Sequence, residues 1–142
     1  MAITSEQKTI ARHRFERAVE TLNEAIDELS RENFRLTVNR AYYSVFYAMR
    51  AYLVTISKDS SKHSGVSALF NQYFIKTGIV SEVSFQAIQT LMDLRHEGDY
   101  QDFAEITREE ASGAVETATT VIDTLKGIIE KLLAADTPTS TT

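Results

Sequence analysis

Arg95 and its neighbours in the segment LRHEGDY, Leu94 to Tyr100, are residues whose types and spacing could do chemistry. Arg95 continues a row formed by Ile88 and Leu91, two turns and one turn earlier on a helix. Its guanidinium therefore projects toward the interior or a groove along it. An inward guanidinium must be paired or must face a cleft, because an unpaired buried charge is very costly. Asp99, one turn later, is the local partner, with Glu28 or a carboxylate of another helix as alternatives. Two readings follow. One is an Arg–Asp clamp between this helix and the next segment. The other is a charged cleft in which Arg95 binds a phosphate with His96 and Tyr100 nearby.

A second group lies in RAYYSVFYAMRAY, Arg40 to Tyr52. On a helix Tyr43, Tyr47 and Arg50 share a face through steps of four and three, and Arg40 stands three residues before Tyr43. That row lies away from the stripe Tyr42, Val45 and Met49. Aromatic stripes at helical spacing usually pack, which is the role expected of Tyr42 and Phe46. The row Arg40, Tyr43, Tyr47 and Arg50 instead suits single-stranded bases, since aromatic faces stack on bases and arginine holds phosphate. His63, in K-H-S-G-V, either caps the helix it opens or joins this ligand set.

Other chemistries find no support. His13, His63 and His96 are the three histidines, and no two are spaced i, i+4, so a helical zinc-protease motif is absent. Without cysteine there is no thiolate metal site, disulfide or cysteine nucleophile. Glycine-rich phosphate loops and a serine nucleophile elbow are missing. No metal and no cofactor is expected.

The elements that must position these residues are helices. The 142 residues, with 43% hydrophobic and 25% charged side chains and a single proline, fit one globular domain over 1–134 with a flexible polar tail over 135–142. Ala11, Phe15, Ala18, Leu22, Ile26 and Leu29 mark the buried stripe of a helix from Ser5 to Ser30, with Lys8 on another face. A second helix, Glu32 to Ile56, is apolar most of the way round, which predicts a central position or burial against a twin subunit. A third runs from His63 to a stop at Gly78. A fourth is capped by Ser81 or Ser84 and buries Phe85, Ile88, Leu91 and Met92. Asp99 to Ile106 reads as irregular. Thr107 and Glu110 have capping-box spacing for a fifth helix reaching about Ala134. The expectation is an all-α, up-and-down bundle of four to five antiparallel helices.

Charge divides unevenly. Residues 1–71 carry ten Lys and Arg against eight Asp and Glu, and residues 72–142 carry five against twelve. Binding to nucleic acid through bulk charge would call for a basic chain, so any such contact needs a local patch in the first half. No apolar run is long enough to span a bilayer and no signal segment is evident, so a cytoplasmic protein without membrane contact is expected.

RAYYSVFYAMRA, KHSGVSALF and LRHEGDY, in this order, make the sequence resemble the HEPN domain family of small prokaryotic helical proteins, over about Ser5 to Leu133. The resemblance implies a homodimeric bundle that accompanies a minimal nucleotidyltransferase, with members acting as metal-independent ribonuclease toxins or defence factors. It also implies an arginine followed, after four to six residues, by a histidine. Arg95 matches the arginine, but positions 100, 101 and 102 hold Tyr100, Gln101 and Asp102. Metal-free RNA cleavage at neutral pH needs a group that titrates there, as imidazole does and a phenol near pH 10 does not.

Two functions compete on this basis. The favoured one is a dimer that binds its nucleotidyltransferase, a nucleotide or RNA in an inter-subunit cleft without the usual catalytic histidine. The alternative is an active ribonuclease toxin of a toxin–antitoxin pair, using Arg95 with His96, Asp99 or Tyr100. A purely structural dimerisation module is a third reading.

Overall fold

A computed structural model describes residues 2–100 and 105–135, the Tyr100 side chain excepted. Among these residues all regular structure is helical: α1 (Ser5–Ser30), α2 (Phe34–Val54), α3 (His63–Phe70) continued by a π-helical turn (Asn71–Ile75), α4 (Glu82–Tyr100) and α5 (Arg108–Ala135). The chain folds as an all-α bundle of five helices. Gln101, Asp102 and the tail beyond Ala135 lie outside the described residues.

Local sequence explains each start. Thr4 Oγ1 accepts the Gln7 N–H at 3.0 Å while Gln7 Oε1 accepts the Thr4 N–H at 2.8 Å, a reciprocal cap on α1. Ser81 Oγ accepts the Ser84 N–H at 3.2 Å ahead of α4. The expected capping box of α5 is present, Thr107 Oγ1 accepting from Glu110 N–H at 3.1 Å and Glu110 Oε1 from Thr107 N–H at 2.9 Å.

Several boundaries and faces differ from the sequence expectations. α1 buries Ala11, Phe15, Ala18, Leu22 and Ala25, and Ile26 is 45% exposed. Alternating steps of four and three keep a stripe on one face of a 3.6-residue helix, so Ala25 takes the inward place. Lys8, one step of three before Ala11, is buried rather than on an outer face, its stem covering apolar surface. The third helix ends its α-helical hydrogen bonding at Phe70, widens into the π turn, and stops at Gly78, whose φ of 82° is left-handed. α4 runs on through Tyr100, so Asp99 is helical rather than the start of the irregular stretch expected there.

α2 is the axis of the bundle, packing on α1, α3, α4 and α5. That accounts for an apolar surface around most of its circumference: Val38, Tyr42, Val45, Met49 and Leu53 are buried on one side, Phe46 and Ala51 on others. Tyr52 donates its hydroxyl to the Leu125 carbonyl of α5 at 2.6 Å, and burial pushes its phenol well above the ordinary value.

Two close approaches set the surroundings of the candidate site. A Cβ on Gly98 would lie 3.2 Å from two carbons of Ile106, so the absence of a side chain there lets the segment leading to α5 seat against α4. A Cβ on Gly65 would fall 2.0 Å from Ser60 Oγ and 2.8 Å from its Cβ. The loop ahead of α3 is thus held against the first turn of that helix. Gly65→Ala should destabilise the fold by about 1–3 kcal/mol despite the better helix propensity of alanine. Urea denaturation of Gly65→Ala, Ser60→Gly and the double variant should show the double variant recovering part of that loss.

Candidate functional site

Arg95 is 8% exposed and reaches from α4 to α2. Its guanidinium carbon stands 4.7 Å from the centre of the Tyr42 ring and 5.6 Å from that of Tyr43, within the range at which a cation gains from the ring quadrupole. Nη1 donates to the Tyr43 hydroxyl at 3.3 Å and lies 3.9 Å from the Asp99 carboxylate. The Arg95–Asp99 pair therefore lies within α4 rather than bridging that helix to the next segment, and two tyrosines of α2 join it that periodicity alone does not attach. Glu28, the alternative partner, instead accepts a hydrogen bond from Asn33 at 2.8 Å.

Asn39 joins this clamp to a second arginine. Its Nδ2 donates to Asp99 Oδ2 at 3.0 Å, and its Oδ1 accepts from Arg40 Nε and Nη2 at 3.1 and 2.9 Å. Arg40 lies over the Tyr43 ring at 5.2 Å and pairs with Glu24 of α1 at 3.4 Å. Tyr43 is thus contacted by two guanidiniums. Tyr47, 6.0 Å further along by ring centres, carries Arg17 of α1 over its face at 5.1 Å. Tyr43 and Tyr47 are half-buried, whereas Tyr42 and Phe46 are core, which matches the division made from their helical phase.

His63 stands at the start of α3 with its ring 4.4 Å from that of Phe46, 5.4 Å from Tyr43 and 5.8 Å from Tyr42. It opens onto a shallow cleft of about 620 Å³ lined by Phe46, Arg50, Asp59, Ser60, Ser61 and His63. Arg50 grips Asp59 through two hydrogen bonds of 3.2 and 2.8 Å, and Arg14 of α1 approaches the same carboxylate at 3.7 Å. The Arg50 hydrogen bond is the main cause holding the Asp59 carboxyl below its ordinary value, helped by the Ser60 N–H and both guanidinium charges, with burial opposing. Burial first, then the Arg50 cation, presses Arg14 down, and Asp59 opposes them. Burial, with the Arg95 cation second, lowers the pKa of His63, so its imidazole is neutral near pH 7.

The structure therefore brings Arg40, Tyr43, Tyr47, Arg50, His63, Arg95 and Asp99 onto one side of α2. His96 is exposed on α4, about 100° round the helix from Arg95, and the Tyr100 side chain lies outside the described residues. Among the described residues no cluster of His, Asp or Glu could hold a metal ion. Sequence reasoning missed Asn39, Asp59, Arg14 and Arg17, which belong to other faces or other elements.

The lowered pKa of His63 fixes the sign of a pH effect. The unfolded chain binds a proton near pH 6.5 where the folded chain does not, so folding stability falls as pH drops through that value. Asp59, depressed in the fold, adds a further loss in stronger acid. Urea midpoints should fall between about pH 7.5 and 5.5, and His63→Phe should flatten that part of the profile.

The matches to known proteins agree with this architecture. Residues 11–128 match the HEPN domain family. A "UPF0332 protein" of Thermotoga maritima is 34% identical over 131 residues, covering 92% of this chain and 99% of its own. "Putative toxin MJ0605" of Methanocaldococcus jannaschii is 31% identical over 116 residues, 82% of this chain and 86% of that one. A second protein of that organism, "Putative toxin MJ0142", is 35% identical over 96 residues, 68% and 65% of the two chains. With four helices packed round α2 among the described residues and a family match over residues 11–128, this chain belongs to the HEPN domain family.

Proposed function

We propose that the protein is a toxin-like HEPN factor that binds single-stranded RNA along the arginine–tyrosine strip of α2. The observation carrying this reading is that Arg40 and Arg17 lie over the rings of Tyr43 and Tyr47 on a half-buried face. Half-exposed rings offer faces for bases, and the neighbouring guanidiniums, with Arg50, offer charge for the phosphates between them. The chain is acidic overall, so the patch must do what bulk charge cannot. Arg95 anchors the strip from beneath by holding Tyr43. The relatives named as toxins support the biological setting.

In this reading two copies of the chain pair, and the strip lines a cleft between them. A minimal nucleotidyltransferase is the partner that restrains the toxin. The cleavage motif that the resemblance implies is not the source of activity, because positions 100, 101 and 102 hold Tyr100, Gln101 and Asp102 rather than a histidine.

Fluorescence anisotropy with a labelled single-stranded RNA tests the strip. Tyr47→Ala should weaken binding roughly 5- to 150-fold, the range for losing one stacked base. Arg40→Ala should also weaken it and reduce its salt dependence. Unchanged affinity in both variants would remove RNA as the ligand. Sedimentation tests the pairing: a monomer at micromolar concentration contradicts the two-copy cleft. Induced expression in cells should arrest growth, and Arg95→Ala should relieve it.

A further inference from the structure

Gly113 stands inside α5, where glycine weakens a helix relative to alanine. Nothing among the described residues requires it, since a Cβ built there would meet no neighbouring helix within 4 Å. It lines a groove of about 450 Å³ between α4 and α5, together with Val83, Ser84 and Ala87 of α4 and Thr117 and Thr120 of α5. Val83 is 75% exposed, the most exposed large apolar side chain among the described residues. The charge around this groove has one sign. Residues 82–94 and 109–125 hold Glu82, Asp93, Glu109, Glu110, Glu116 and Asp123 but neither lysine nor arginine, and Lys126 is the next cation along α5. Glu116 also lines the groove, and Asp123 follows Thr120 on the same helical row. Glu82, Asp93, Glu116 and Asp123 are exposed, and among the described residues none of the four has an ion-pair partner. On the strip side, by contrast, Glu24 and Asp59 are already held by arginines.

We propose that the α4–α5 groove docks a helix of a partner protein, one that carries an apolar stripe flanked by lysine or arginine. The apolar stripe covers Val83 and Ala87, and the open space above Gly113 lets the incoming backbone come close. The flanking cations reach Glu82, Glu116 and Asp123, whose charges are unmatched in the free chain. Charge of one sign on the groove selects the partner and speeds its arrival. An extended peptide is a poorer occupant, because its backbone donors and acceptors would face two helices whose own are bonded internally. Nucleic acid is repelled by the same carboxylates. A second copy of the chain is also a poorer occupant: the arginines of its basic helix, Arg14 and Arg17 of α1, already lie against Asp59 and Tyr47. The groove shares no residue with the arginine–tyrosine strip, so the proposal is independent of the RNA reading.

Full-length protein is titrated into a fluorescein-labelled synthetic peptide of about 20 residues, long enough to be helical, with leucine and alanine on one face and lysine on its flanks. The control is the same peptide with glutamate for every lysine. Wild type should bind the lysine peptide roughly 10-fold or more tighter than the control. Gly113→Leu fills the groove. It should keep or raise the urea midpoint of the free protein, because the position is open and leucine is the better helix former, yet weaken binding of the lysine peptide roughly 10-fold or more. Val83→Ser is the second variant, on an exposed site that folding does not depend on, and should also weaken it. Glu116→Lys combined with Asp123→Lys should do the same, whereas Glu20→Lys, at an exposed acid of α1, should leave the affinity as it is. Amide resonances of Val83, Ala87, Gly113 and Thr117 should shift on titration while those of Tyr43 and Tyr47 stay in place. No binding, equal binding of the two peptides, or binding untouched by Gly113→Leu and Val83→Ser overturns the proposal. Sedimentation supplies the remaining outcome: self-association of wild type that Gly113→Leu abolishes assigns the groove to a second copy and overturns it too. None of these results bears on RNA binding by the strip.

Discussion

Arg95 is a full positive charge placed among the side chains of a helical core, and the arrangement around it follows from the need to compensate that charge where water is scarce. A guanidinium can be held there because it is flat and weakly hydrated and can lie against aromatic faces while donating at its edge. Tyr42 and Tyr43 supply the faces, the Tyr43 hydroxyl and Asp99 supply acceptors, and Asn39 ties Asp99 to Arg40. Removing one partner of such a set costs more than the pair contributes, since it leaves the other charge buried. The spacing of α4 from α2 at this level is therefore tightly constrained, and with it the tilt of the Tyr43 ring that both His63 and Arg40 use. The seat of Ile106 on Gly98 belongs to the same constraint, because it lies next to Asp99.

Around this buried cation the other arginines form a graded set. Three of them are held by carboxylates, Arg40 by Glu24 and both Arg50 and Arg14 by Asp59. Isolated surface pairs contribute little to stability. Their value here is positional, since a guanidinium already fixed over a ring loses less freedom when a phosphate arrives. The Asp59 pair also anchors the loop that leads into α3, so the same contacts that shape the cleft decide where His63 stands. An acidic chain can in this way present a locally cationic face without becoming a general polyanion binder.

Membership of the HEPN family accounts for the helical bundle, while the histidine spacing that the resemblance implies is not met beyond Arg95. The spacing that the resemblance implies would draw both groups from one short stretch of chain. Here the imidazole that shares the Tyr42 and Tyr43 rings with Arg95 is His63, which belongs to a different helix. Chemistry depends on where groups stand, not on which element carries them, and a site assembled across elements escapes a search by spacing.

Taken alone, the sequence determined the helical class, the α5 capping box, the centrality of α2 and the inward direction of Arg95, because these rest on periodicity and on contacts within one or two turns. It also separated Tyr42 and Phe46, which pack, from Tyr43 and Tyr47, which stay partly open, since helical phase sorts residues of one helix by face. Phase says nothing about what lies opposite. The Tyr42 and Tyr43 cradle under Arg95, the Arg17 contact with Tyr47, the Asp59 bridge and the nest around His63 all join residues far apart in the chain. Long-range pairing is set by how helices of given bulk fit together, and that is a property of the whole packed core rather than of any segment.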